Sequence, residues 1–92
     1  MNKDQDNSMN IQVRFAEPFW RQVGQRDIKV ELAQDSNTIG DLLDFLFQQY
    51  PSLADEMEEA PPLIFIGEEE ADTNTKLTDK DHVHFVWPVA GG

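Results

Sequence analysis

At 92 residues and a net charge of −11, the chain has room for one domain with a modest core, so a deep, self-contained active site is not expected. Phosphate recognition needs clustered Lys and Arg, and anionic lipid attracts the same residues; neither nucleic acid nor a membrane is therefore expected as a partner, while a basic protein surface is favoured. The chain has no cysteine, which excludes disulfides, thiol catalysis and Cys-ligated metal.

Residues 1–8, Met1 to Ser8, are polar and without period, and read as a disordered leader ahead of a domain over 9–92. They contain no hydrophobic signal region, and no apolar run approaches the length of a membrane span. Together with the missing cysteines, this leads us to expect a cytoplasmic protein. Ile11, Val13 and Phe15 alternate with Gln12 and Arg14, which predicts a half-buried strand. A turn over Gly24 to Asp27 and a second alternation, Ile28, Val30 and Leu32, complete a hairpin whose long connection contains Pro18, Phe19 and Trp20.

Ile39, Leu42, Leu43, Leu46, Phe47 and Tyr50 recur at helical spacing and form one apolar face. Asp41, Asp44, Gln48 and Gln49 take the other. Ser36 or Thr38 can cap this helix, Asp41 suits its dipole, and Pro51 stops it. The stretch from Ser52 to Pro62 reads as a loop with a short helical turn around Leu53 to Met57. Leu63-Ile64-Phe65-Ile66 is a short apolar strand ending at Gly67. Glu68-Glu69-Glu70 reads as a solvated turn, since adjacent carboxylates repel. Leu77 is a buried anchor within a turn, and Val83, Phe85 and Trp87 alternate along the last strand.

The order strand-strand-helix-strand-strand predicts an α+β fold: a mixed sheet of four to five strands with one main helix packed on one face. The first and last strands then lie side by side and parallel in the middle.

Little in this pattern carries chemistry. There is no phosphate loop and no Ser-His-Asp set. His82 and His84 share a strand face, but without a third ligand they read as exposed strand residues, and no metal site is expected. Trp20 and Trp87 read as packing or interface residues. What remains is the ending Trp87-Pro88-Val89-Ala90-Gly91-Gly92. Glycine has no Cβ, so a Gly-Gly tail can thread a narrow slot and present its carboxylate inside another protein's active site, with the carbonyl open to a nucleophile. Pro88 ends strand pairing and stiffens the exit, and residues 89–92 read as a flexible tail.

The element order, the helix face and this ending together resemble the ubiquitin-like (β-grasp) sulfur carriers: the small subunit of molybdopterin synthase, of the MoaD type, and the thiamine-pathway carrier, ThiS. The family ending resembles Gly-Asp-Glu-Val, several hydrophobics, then Pro-Pro-Val-x-Gly-Gly. Here the matching stretch runs from Lys80-Asp81-His82-Val83 to Pro88-Val89-Ala90-Gly91-Gly92. Val13-Arg14-Phe15-Ala16 through Gly24 looks like the molybdopterin-type start, where a Phe-Ala step leads through a short helix to a glycine. Thr38 to Leu43 and Tyr50-Pro51 fit the family helix. Lys80 stands where a turn glycine is usual, Trp87 replaces the first proline, and Ile66-Gly67-Glu68 replaces Val-Asn-Gly.

The resemblance implies that a ubiquitin-activating-type enzyme uses ATP to adenylate the Gly92 carboxylate, and that a sulfur donor then converts it to a thiocarboxylate. The sulfur would be delivered to a pterin precursor held by a molybdopterin synthase large subunit, which supplies the catalytic groups of that sulfurtransferase complex. Gly91 provides clearance, and Val86, Trp87, Pro88, Val89 and Ala90 are expected to contact partners. No cofactor is expected on this chain itself. Carriers serving thiamine, cysteine or another sulfur metabolite share this ending. So do protein modifiers that join Gly92 to a lysine, and a plain interaction domain with an incidental tail stays open as well.

Overall fold

The computed structural model describes residues 8–87. Five strands form one mixed sheet. In chain order the elements are β1 (Ser8–Phe15), α1 (Phe19–Val23), β2 (Asp27–Ala33), α2 (Ile39–Gln49), α3 (Pro51–Glu59), β3 (Leu63–Ile66), β4 (Glu69–Ala71) and β5 (His82–Val86). The sheet order is β2-β1-β5-β3-β4. β1 and β2 form the expected antiparallel hairpin, and β5 pairs parallel to β1 and antiparallel to β3. The first and last strands therefore lie together at the centre, as expected for a β-grasp.

The alternation of β1 sets which side of the sheet is dry. Met9, Ile11, Val13 and Phe15 are buried, while Asn10, Gln12 and Arg14 are exposed. Val30 and Leu32 of β2, Ile64 of β3 and Val83 and Phe85 of β5 point to the same side. The Phe15 and Phe85 rings stack there with centroids 5.6 Å apart. α2 lays Ile39, Leu42 and Leu46, all fully buried, onto this core, and Leu43, Phe45, Phe47 and Tyr50 pack around its margin. Thr38 caps α2. Its Oγ1 accepts from the Asp41 amide at 3.2 Å, and the Asp41 carboxylate accepts from the Thr38 amide at 3.2 Å, a reciprocal capping box.

Gly40 sits in the first turn of α2 because the chain at Thr73 crosses there. Its amide donates to the Thr73 carbonyl at 2.9 Å, and a Cβ on it would lie 3.2 Å from that oxygen. Leu77, buried as expected, pins the loop that makes this crossing.

Three expectations need correction, and one is met. The strand begins at Ser8, paired with Ala33, so the leader read over 1–8 is one residue too long; residues 1–7 lie outside the described residues. The hairpin connection contains the short helix α1 that the resemblance implies between Ala16 and Gly24, with Phe19 fully buried. The stretch after Pro51, read as a loop with a short helical turn, is a nine-residue helix, α3, that joins α2. Pro51 ends α2 and also opens α3, because a proline at the first helical position gives up no intrahelical hydrogen bond. Leu53 and Met57, spaced i and i+4, bury its inner face. Finally, the glutamate run is only half a turn: Glu69 and Glu70 belong to β4, a three-residue edge strand paired with β3. Among the described residues no helix is long and apolar enough to cross a membrane.

Candidate functional site

The C-terminal segment leaves from the middle of the sheet. β5 is hydrogen-bonded on both flanks, and its inward side chains, Val83 and Phe85, are at most 1% exposed. The Phe85 carbonyl accepts from the Ala16 amide at 2.9 Å, which extends the pairing with β1 to the last turn of the strand. Whatever follows Val86 is thus attached to a central strand held on both flanks.

Of the site residues expected from sequence, the structure places two. Val86 ends β5, half-buried, on the face away from the helices and opposite Leu63. Trp87 follows at 45% exposure, the most conspicuous apolar side chain on the described surface. Pro88, Val89, Ala90, Gly91 and Gly92 lie outside the described residues.

The structure adds two neighbours that sequence reasoning assigned no role. Leu63 and Phe65 of β3 pair with Val86 and His84, so both lie on the open face beside Val86, half-buried. A signal for them existed. An antiparallel strand with one wet face should alternate, whereas Leu63-Ile64-Phe65-Ile66 is apolar without interruption, which implies that its second face is also made for cover.

The end of the sheet from which Trp87 emerges also carries polar machinery. The C-terminus of β1, the start of β2 and the start of β3 converge there. The Trp20 indole, from α1, lies under the guanidinium of Arg26 at 4.8 Å and that of Arg21 at 5.7 Å. Arg21 reaches back to Glu17 at 3.2 Å, and this hydrogen bond holds the Glu17 carboxyl below its ordinary range. The buried Trp20 Nε1 lacks a partner in good hydrogen-bond geometry, but leans close enough to Glu17 to act in the same direction.

On the open face Arg14 grips Asp27 across the hairpin at 2.7 and 3.3 Å. The pair lowers the Asp27 carboxyl and raises the Arg14 guanidinium, chiefly through that hydrogen bond. Both groups are exposed, so water screens the pair.

None of these groups forms a nucleophile with a base. Among the described residues no cluster of three or more His, Asp or Glu side chains is placed to hold a metal ion. His82 and His84 do share the open face, but they stand in different rows of it, beside Gln12 and Arg14 respectively. The described surface can bind and present.

Comparison with known proteins agrees with this geometry. The ThiS family model matches residues 13–92. Among solved structures, the chain is similar to the HVO 2177 protein of Haloferax volcanii: 28% identity over 94% of this chain and 89% of that one, with a TM-score of 0.76. Small archaeal modifier protein 1 of the same organism superposes with a TM-score of 0.75 at 19% identity, over 88% of this chain and 99% of that one. Subunit 1 and subunit 2 of the molybdopterin-converting factor from Helicobacter pylori were solved as a complex. The match there has a TM-score of 0.63 at 24% identity, over 91% of this chain and 100% of that one. The last two likenesses speak for the ubiquitin-like fold alone. No curated protein matches the sequence.

Proposed function

The chain belongs to the ThiS family, and from that premise we propose that it is a sulfur carrier that works through the carboxylate of Gly92. The observation that carries this reading is the reach of the family match, which runs through the strand β5 and includes Gly91 and Gly92. A free carboxylate has no leaving group. Transfer of an adenylyl group from ATP, on a ubiquitin-activating-type enzyme, would release pyrophosphate and leave AMP as the leaving group at the Gly92 acyl carbon. A sulfur donor then attacks that carbon and expels AMP. With a persulfide as donor, the attack leaves an acyl disulfide; a thiol then reduces its S–S bond, forming a disulfide with the donor's remaining sulfur and freeing the thiocarboxylate. Its sulfur is the nucleophile delivered to the final acceptor.

The fold supports a division of labour. The body supplies a rigid root, β5, and a surface for the enzymes that handle the tail. Leu63, Phe65, Val86 and Trp87 would supply the apolar part of that surface, and Pro88, Val89 and Ala90 are assigned further partner contacts. Gly91 gives backbone clearance in a narrow channel. ATP belongs to the activating partner, and the chain itself holds no cofactor. The acceptor we favour is a pterin precursor on a molybdopterin synthase large subunit. The ubiquitin-like fold shared with subunit 1 of a two-subunit molybdopterin-converting factor supports this.

Mass spectrometry of the protein co-expressed with its activating enzyme tests the proposal. We expect one oxygen exchanged for sulfur at the C-terminus, and loss of that exchange when Gly91 and Gly92 are deleted. An unmodified chain under those conditions would overturn it.

A second reading is favoured by the likeness to a small archaeal modifier protein. The same adenylate would then be attacked by a lysine amine, and the chain itself would be transferred. Gly-Gly remnants on lysines of other proteins, found after proteolysis of cell extracts, would mark that outcome.

A further inference from the structure

The two edges of the sheet are guarded unequally. β4 closes one side; it has three residues and carries Glu69 and Glu70, so a second strand laid along it would have to approach adjacent carboxylates. β2 closes the other. It runs for seven residues, Asp27–Ala33, in unbroken register with β1 and contains neither proline nor glycine. Among the described residues no strand pairs with its outer side. An exposed edge of that length is a template for another strand.

Hydrogen-bond phase fixes which groups that side offers. The Phe15 amide donates to the Arg26 carbonyl at 2.8 Å, whereas the amides of Gln12 and Ala16 donate toward β5, to the carbonyls of Asp81 and Phe85. Odd-numbered residues of β1 therefore face β2, and the register pairs them with Ile28, Val30 and Leu32. The backbone N–H and C=O groups of Lys29 and Glu31 point the other way, out of the sheet edge. Both side chains are exposed on the open face, and among the described residues neither is in an ion pair. The Glu31 carboxylate accepts from the Ser8 hydroxyl at 2.9 Å, a neutral donor, and so keeps its charge.

We propose that β2 is the seam of a two-fold symmetric dimer, in which a second copy of this chain adds its own β2 antiparallel at the open edge. Only one centring of the two strands, on Val30, overlaps all seven residues. It sets Lys29 opposite the partner's Glu31, and Glu31 opposite the partner's Lys29. The outward N–H and C=O groups of both residues then meet in register, and the side chains form two opposite-charge pairs on the open face. On the closed face the half-buried Ile28 comes to lie opposite the partner's Leu32. Moving the centre by one residue, to Lys29 or to Glu31, would set like charges against each other. β2 is thus complementary to itself, as an isologous contact requires. A seam of one strand from each copy falls short of a standard interface of about 1,600 Å², so the dimer is weak and fills with concentration. The net charge of −11 on each copy opposes it at long range. Salt, which cuts the Debye length to about 3 Å at 1 M, relieves that repulsion more than it weakens pairs in contact. β5 lies two strands from the seam and runs in opposite directions in the two copies, so Trp87 emerges at opposite ends of the joined sheet. The proposal stands independently of what Gly92 carries.

Sedimentation equilibrium of the full chain tests it, from about 10 μM to about 1 mM protein in about 1 M salt. We expect a monomer–dimer equilibrium, with concentration-dependent amide shifts in the nitrogen-15 spectrum centred on Lys29, Val30 and Glu31. Lys29→Glu and Glu31→Lys each replace two opposite-charge pairs with two like pairs, and each should weaken the dimer on the order of tenfold. Glu31→Lys is the sharper of the two, since it makes the chain less acidic and would strengthen an association governed by net charge alone. Mixing the two variants should restore the parent affinity, because the mixed dimer again pairs opposite charges on both sides of the axis. The amide spectrum of each variant at low concentration reports that it is folded. Deleting Gly91 and Gly92 should leave the dimer intact, which separates this result from the fate of the carrier reading. A chain that stays monomeric throughout that range, an undiminished dimer of Glu31→Lys, no recovery on mixing, or shifts centred on Leu63 and Trp87 in place of β2 would each overturn the assignment.

Discussion

The two faces of the sheet come from the same strands and teach different lessons. The face under α2 and α3 is closed: Ile11, Val13, Phe15, Val83 and Phe85 are at most 1% exposed and meet Leu42, Leu46 and Leu53, which are fully buried. The opposite face is open, with Leu63, Phe65 and Val86 grouped at the end from which Trp87 emerges, and Lys29, Gln12 and His82 lying farther down. Burial on the first face is proportional to stability. On the second, the same side-chain spacing produces little folding energy and leaves a surface on which partners can be distinguished.

Substitutions can break this comparison. The largest effect should come from Phe85→Ala, which removes a fully buried ring from the central strand and its stack on Phe15. Urea unfolding should show a loss of about 3–5 kcal/mol. Leu53→Ala asks whether α3 is an integral part of the closed face. A loss of about 2–5 kcal/mol is expected, and a change below about 0.5 kcal/mol, typical of surface sites, would return this segment to the status of a loop. Thr38→Ala removes the hydroxyl half of the capping box and should lower stability by about 1 kcal/mol in the same assay.

The smallest effect belongs to the open face. The Asp27 carboxyl is depressed below its ordinary 3.8 by Arg14. Its contribution is therefore present above that value and disappears as the pH falls through the lower folded-state value. Thermal melts of Asp27→Asn should match the parent in strong acid and fall slightly short of it near neutrality. A deficit as large at acid pH would mean that the substitution disturbs the hairpin by some route other than charge.

The closed face was largely legible in the sequence because both of its periods were clean. Alternation marked β1, β2 and β5, and the 3.6-residue repeat marked α2. Parallel pairing of the end strands followed from element order. The open face was not legible in the same way, since the placement of Lys29 opposite Gln12 and of Phe65 beside His84 depends on register, which one chain's pattern does not specify across strands distant in sequence. α3 was obscured because Pro51 carries two meanings at once, a stop for one helix and a start for the next. β4 was hidden because three edge residues without an apolar repeat give hydropathy nothing to report. At the candidate site, the positions of Val86 and Trp87 at the end of the last strand were legible, whereas the place of Leu63 beside Val86 needed the partner strand.

The root of the tail has a mechanical consequence. Force applied to the C-terminus is transmitted along β5, whose neighbours on both flanks run nearly along the pulling direction. Their hydrogen bonds would be loaded in shear together, not opened one at a time. An unfolding motor that seized this chain by its end would load both flanks of β5 at once, and an enzyme engaged with that end would pull against a firm anchor.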